Sequence, residues 1–130
     1  DYLQLMTDRD RAQDGRQNEV AAISRAIKLI AKDLGVPILA LSQMNRSIEQ
    51  RGKDPRPQLS DLRESGAIEQ DADMVVFIHR EQGKDIPEDM KNIAEIIIGK
   101  NRGGPRDDVK LAFLSDKSLF TDYEPAAPAE

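Results

Sequence analysis

The feature that most constrains this chain is a helical stripe that leads directly into a continuous apolar run. Val20, Ile23, Ile27, Ile30, Ala31 and Leu34 recur at three- and four-residue steps. That is the spacing of one face of an α-helix. Gly35 follows where a left-handed C-terminal cap belongs. After Val36-Pro37, the run ILALS at 38–42 has the continuous apolar character of a strand buried on both faces. Upstream, DYLQLM at 1–6 reads as the end of another buried strand entering a polar stretch. Strand, helix and strand with tight connections predict an α/β fold built on a parallel sheet unit.

The remainder alternates short apolar runs with polar loops. Residues 44–59 form a long loop with Gly52, Pro55 and Pro57. Loops of that length in a compact domain tend to be functional or mobile. Ser60 can cap a helix from Asp61 toward Ala72, weakened by Gly66. Met74–Ile78 and Ile93–Gly99 read as buried strands separated by an acidic loop. A Gly/Pro loop with basic residues follows, and Val109–Leu114 and Leu119–Tyr123 read as a hairpin across Ser115–Ser118. Residues 1–123 are expected to form one partial domain, and EPAAPAE at 124–130 a disordered tail.

Composition excludes several chemistries. The 130 residues contain no Cys and one His, so neither a thiolate nucleophile nor a multi-His metal centre can form. Against 19 Lys and Arg stand 24 Asp and Glu, a formal net charge of −5. An indiscriminate nucleic-acid binder would be basic overall, although local basic loops stay open. No apolar run is long enough to span a membrane, and the N-terminus lacks a signal-peptide layout, so a cytoplasmic location is expected.

Few residues could carry chemistry. Asp1, at the carboxyl end of a strand, could hold Mg²⁺, or simply cap a turn. Gln43 can donate to an oxyanion and accept from water, or be a surface residue. The stretch 44–66 balances Arg46, Arg51, Lys53, Arg56 and Arg63 against Glu49, Asp54, Asp61 and Glu64. It is only weakly basic, and it has no aromatics for base stacking. Gly66 would let a phosphate strand approach the backbone. Lys100 and Arg102 follow a strand and would share a face if the strand continued through them, suiting phosphate contact or a soluble sheet edge. His79 ends an apolar strand and reads as a packing residue. The phosphate cradle G-x-x-x-x-G-K-[ST] is absent: Gly52-Lys53, Gly83-Lys84 and Gly99-Lys100 precede Asp, Asp and Asn.

Taken in order, four segments resemble the motor domain of the bacterial replicative DNA helicases, the DnaB family. DYLQLM resembles the end of the Walker-B strand, and PILALSQMNRSIEQR the third helicase motif. RPQLSDLRESGAIEQDAD resembles the fourth motif, and IIIGKNRGGP the strand and turn of the arginine finger. The resemblance implies the C-terminal portion of a RecA-like domain. That portion would be a mostly parallel sheet flanked by helices, with a C-terminal antiparallel hairpin and without the P-loop strand. It further implies a homohexameric ring that uses ATP and Mg²⁺ to translocate on single-stranded DNA at replication forks. A helicase loader and primase would be partners of the complete protein. Asp1 would order the metal, Gln43 would couple the γ-phosphate site to DNA, and Arg63, Glu64 and Gly66 would lie at the DNA backbone. Lys100 and Arg102 would reach a neighbouring subunit's ATP. The resemblance places the chain's start inside a motif, so the fragment is predicted to be inactive alone.

The sequence departs from the family at Arg106-Asp107, in the turn behind the finger, where Thr-Gly is common. Two other readings stay open on sequence. One is a non-catalytic DNA- or helicase-binding module reusing the same sheet. The other is a recombinase or clock-type ATPase fragment, from which LSDLRESGAIEQDAD points away.

Overall fold

The structure, a computed structural model, describes residues 2–10, 15–44, 56–81, 86 and 90–124, without the side chains of 63–65. It divides into two compact units, Asp1–Asp73 and Met74–Glu130.

The first unit is built on helix α1, Arg16–Leu34. Its stripe is buried at the N-terminal end, where Val20 and Ile23 join Leu3 and Leu62 in a small core. Toward the C-terminus the same stripe opens to solvent at Ile30 and Leu34. Gly35 ends the helix as expected, at φ 62° and ψ 34°. Its N–H donates to Lys32 C=O at 3.3 Å and the Val36 N–H donates to Ala31 C=O at 3.1 Å. This pair of bonds is a Schellman motif, which satisfies carbonyls the helix leaves open.

The helix expected from Asp61 is two elements. A 3₁₀ segment spans Leu59–Ser65, and helix α2 spans Gly66–Asp71. The N-cap is Gln58 rather than Ser60, with Gln58 N–H donating to Asp61 Oδ2 at 2.7 Å. Asp71 ties α2 to α1 by accepting from Ser24 Oγ at 2.9 Å and Arg25 Nη1 at 3.3 Å. Beside it, Lys28 Nζ meets Asp73 Oδ2 at 2.5 Å.

The second unit is a four-stranded sheet in the order β1 (Met74–His79), β2 (Ile93–Asn101), β3 (Asp108–Leu114) and β4 (Leu119–Asp122). Phe77, Ile93 and Ala94 form its buried centre. Phe113 and Phe120 pair across β3 and β4 with ring centroids 4.8 Å apart, and the Arg80 guanidinium lies 4.2 Å over Phe113. Such ring and cation contacts add to area burial.

The mixture of helix and sheet is as expected, and so is the C-terminal antiparallel hairpin. The mostly parallel pairing is corrected: all pairings among the described strands are antiparallel. Connection length explains this. A parallel crossover needs about a dozen residues, usually with a helix. The turns 102–107 and 115–118 are shorter, and the described part of 80–92 holds no α-helix. The run 38–42, expected as a strand buried on both faces, forms no assigned strand, and Leu39 is 91% exposed. Among the described residues, its backbone rung to the upstream segment runs from Leu3 N–H to Leu41 C=O at 2.8 Å. Nor is β1 buried on both sides, because Met74, Val76 and Ile78 face solvent.

Candidate functional site

The expected site residues fall in both units. Gln43 and Gly66 lie in the first, Lys100 and Arg102 in the second. Asp1, the expected metal ligand, lies outside the described residues, as do Arg46, Arg51 and Lys53. Arg63 and Glu64 sit on the 3₁₀ segment, their side chains outside the description.

Gln43 is exposed at the end of the 38–42 run. Its backbone is gripped by Gln4: Gln43 N–H donates to Gln4 Oε1 at 3.0 Å, and Gln4 Nε2 donates to Gln43 C=O at 3.3 Å. Gln4 Nε2 also donates to Ser42 Oγ at 2.9 Å. The backbone of segment 4–8 is held in turn by the first turn of α1. Arg16 donates through Nη1 to Met6 C=O at 3.0 Å and through Nη2 to Gln4 C=O. The buried Glu19 carboxylate accepts from Arg16 and, at 2.7 Å, from Asp8 N–H. These bonds hold its pKa below the usual carboxylate range, the Asp8 N–H most of all, then Arg16, against the opposing effect of burial.

Gly66 has right-handed helical dihedrals, φ −52° and ψ −27°. A Cβ there would meet nothing within 4 Å. The fold itself therefore does not require glycine at this position.

Lys100 and Arg102 do not share a regular strand face. Val75 pairs with Lys100 and Val76 with Ile98, leaving Gly99 as the extra residue of a bulge. Bulges re-aim the side chains beside them. The strand then ends at Asn101, and Arg102 opens the turn. Asn101 organises that turn, donating from Nδ2 to Pro105 C=O at 2.9 Å and accepting from Gly103 N–H at 3.2 Å. Beyond it, Arg106 Nη1 donates to Gly99 C=O at 3.4 Å, and Ile98 N–H to Asp107 C=O at 3.0 Å. The unusual Arg106-Asp107 pair thus closes the turn from behind. His79 is half-buried at the end of β1, in register with Glu95.

The residues that sequence reasoning missed are Gln4, Arg16, Glu19 and Asn101. Asn101, in a Gly/Pro turn, and the Arg16/Glu19 pair, three apart in a first helical turn, carried local signals; Gln4 carried none. The partners of Gln4 lie 38 and 39 positions away.

Lys100 and Arg102 can each donate and cannot accept, which suits phosphate oxygens. Among the described residues no group of three or more His, Asp or Glu side chains could hold a metal ion.

Comparison with known proteins decides the family. The DnaB-like helicase C-terminal domain family matches residues 1–122. This chain belongs to that family. It is 52% identical over 124 residues to the replicative DNA helicase DnaC of Bacillus subtilis, covering 95% of this chain and 27% of that protein. Against the replicative DNA helicase DnaB of Geobacillus stearothermophilus the identity is 50%, with the same coverage. Two solved structures superpose with a TM-score of 0.86 over 95% of the chain. One is an ATPase domain, 48% identical and covered over 43% of its length. The other is a DnaB-like replicative helicase described with its interactions with primase, 47% identical and covered over 30%. The chain thus spans about a quarter of the curated relatives it matches. Among the described residues, no helix is long and apolar enough to cross a membrane.

Proposed function

We propose that this chain is part of the motor of a hexameric replicative DNA helicase, which unwinds duplex DNA by ATP-driven translocation on single-stranded DNA. The observation that carries the reading is identity of 50% or more to replicative helicases over 95% of the chain. ATP with Mg²⁺ supplies the phosphoanhydride whose hydrolysis drives the movement. Asp1 orders the metal, and Gln43 senses the γ-phosphate and relays its state to the DNA loops. Arg63, Glu64 and Gly66 hold the DNA backbone. Lys100 and Arg102, presented by the bulge and the Asn101 turn, bring positive charge to the ATP of the neighbouring subunit. In other phosphoryl-transfer systems such a finger contributes about 10³–10⁵ in rate. The reading extends to primase and a helicase loader as partners and to replication forks in the bacterial cytoplasm as the place of action. These 130 residues contain no G-x-x-x-x-G-K-[ST] cradle, and under this reading they do not hydrolyse ATP on their own.

The test is a mixed ring. In the full-length protein carrying this sequence, Arg102→Ala is expected to cut ATP turnover while leaving nucleotide binding at the mutated subunit's own site intact. Rings mixed with subunits unable to bind ATP show whether the loss acts across the interface. A loss confined to the mutated subunit's own site overturns the trans assignment.

A further inference from the structure

We infer that Gln4 is a positioning residue for Gln43, its carboxamide standing in for a backbone rung between segments 3–5 and 41–43. The inference rests on the reading of Gln43 as a sensor. In a parallel ladder, one residue donates its N–H to the partner strand and its C=O accepts from the residue two further along that strand. Leu3 N–H makes the first of these bonds, to Leu41 C=O at 2.8 Å. The second would run from Gln43 N–H to Leu3 C=O. That carbonyl is instead taken by Met6 N–H at 3.1 Å, as the chain tightens into the 3₁₀ turn Leu3–Leu5.

Gln4 fills the gap. Its Oε1 accepts the Gln43 N–H, and its Nε2 returns a bond to the Gln43 C=O. A backbone N–H can only donate and a backbone C=O can only accept, so these two partners fix which way the carboxamide faces. The third bond, to Ser42 Oγ, holds the preceding residue. A hydrocarbon side chain replaces none of these bonds. A carboxylate still accepts from Gln43 N–H and can accept from the Ser42 hydroxyl, but it cannot donate to the Gln43 carbonyl and turns its second oxygen against it. Gln4 is itself anchored, because Arg16 donates to its C=O and is held by Glu19. The polar chain therefore runs from the first turn of α1, through Gln4, to the backbone from which the Gln43 side chain projects.

The experiment compares Gln4→Leu, Gln4→Glu, Gln43→Ala and the double variant Gln4→Leu/Gln43→Ala in the full-length protein carrying this sequence. Single-stranded-DNA-stimulated ATP turnover and amide hydrogen exchange over residues 38–44 are measured. For both Gln4 variants the expected kcat loss is roughly tenfold, the scale of one or two lost hydrogen bonds, with KM for ATP little changed. Gln4→Glu conserves size, so an equal loss there assigns the effect to the donor rather than to packing. The double variant is expected to be no worse than Gln43→Ala, as for two residues acting through one group. Faster exchange of the Gln43 amide in Gln4→Leu supports the contact directly. Wild-type kcat in both Gln4 variants beside an impaired Gln43→Ala overturns the positioning role alone. Wild-type kcat in Gln43→Ala overturns the sensor reading, and unchanged exchange of the Gln43 amide in Gln4→Leu then overturns the inference with it.

Discussion

Glu19 is a buried carboxylate with a specific task, since it closes the segment 4–8 onto α1 through Asp8 N–H and Arg16. Its folded-state pKa is lowered, so the native state favours the ionised form. Such a group contributes stability that is fully present above the ordinary glutamate range and lost as pH falls through the lowered folded value. Glu19→Gln is expected to lower Tm at neutral pH, and the gap from wild type is expected to shrink on acidification into that range. Thermal melts across pH in the full-length protein check this; a gap independent of pH would assign the loss to shape instead of charge. The sequence exposes half of this arrangement. Arg16 and Glu19 are three apart in a first helical turn, a legible pair. Their targets, the carbonyls of Gln4 and Met6 and the amide of Asp8, have no side-chain signature, so nothing in the residue string marks them.

At the level of elements, two glycines separate conformational need from functional need. Gly35 occupies the left-handed region with open space around it. Gly35→Ala is expected to cost about 1 kcal/mol, because a Cβ is strained by those dihedrals although it would meet no neighbour. Gly66 has ordinary helical dihedrals and equally open space. Gly66→Ala is expected to stabilise by up to about 1 kcal/mol, since alanine loses less freedom in a helix. If the DNA backbone passes Gly66, the same variant binds single-stranded DNA more weakly while melting later. Denaturant titration and a DNA-binding assay on the full-length variants read the two effects separately. Elements were legible where a periodic pattern met a terminator, as at α1 with Gly35 and at the four strands. Strand sense was not, because alternation of apolar residues carries no direction. The short turns 102–107 and 115–118 did carry it, since neither can hold a crossover. The bulge at Gly99 was hidden for a related reason: register depends on the partner strand, and a lone glycine names none.

For the whole molecule, the distribution of apolar surface is the governing fact. Leu34, Leu39 and Leu41 are 68%, 91% and 59% exposed, and Val36 and Ile38 beside them are exposed too. A run of this kind is the composition of a strand covered on both faces, yet here it is open. Each such Leu stands to gain about 1.5–3 kcal/mol on full burial, so a cluster of them outweighs the repulsion of a modest net charge. The formal charge of −5 opposes association only weakly, and salt screens it further. The 130-residue chain on its own is therefore expected to self-associate, more strongly as salt is raised, by sedimentation velocity. Leu39→Ser is expected to reduce that association. In the full-length helicase of the proposed function the same substitution is expected to act in the opposite sense. If the run packs there as an interior strand, a hydroxyl in place of the leucine lowers stability by about 2–4 kcal/mol through lost burial and a cavity. A neutral Leu39→Ser in the full-length protein would mean that this face meets solvent there as well, and the reading of 38–42 as an interior strand would fall.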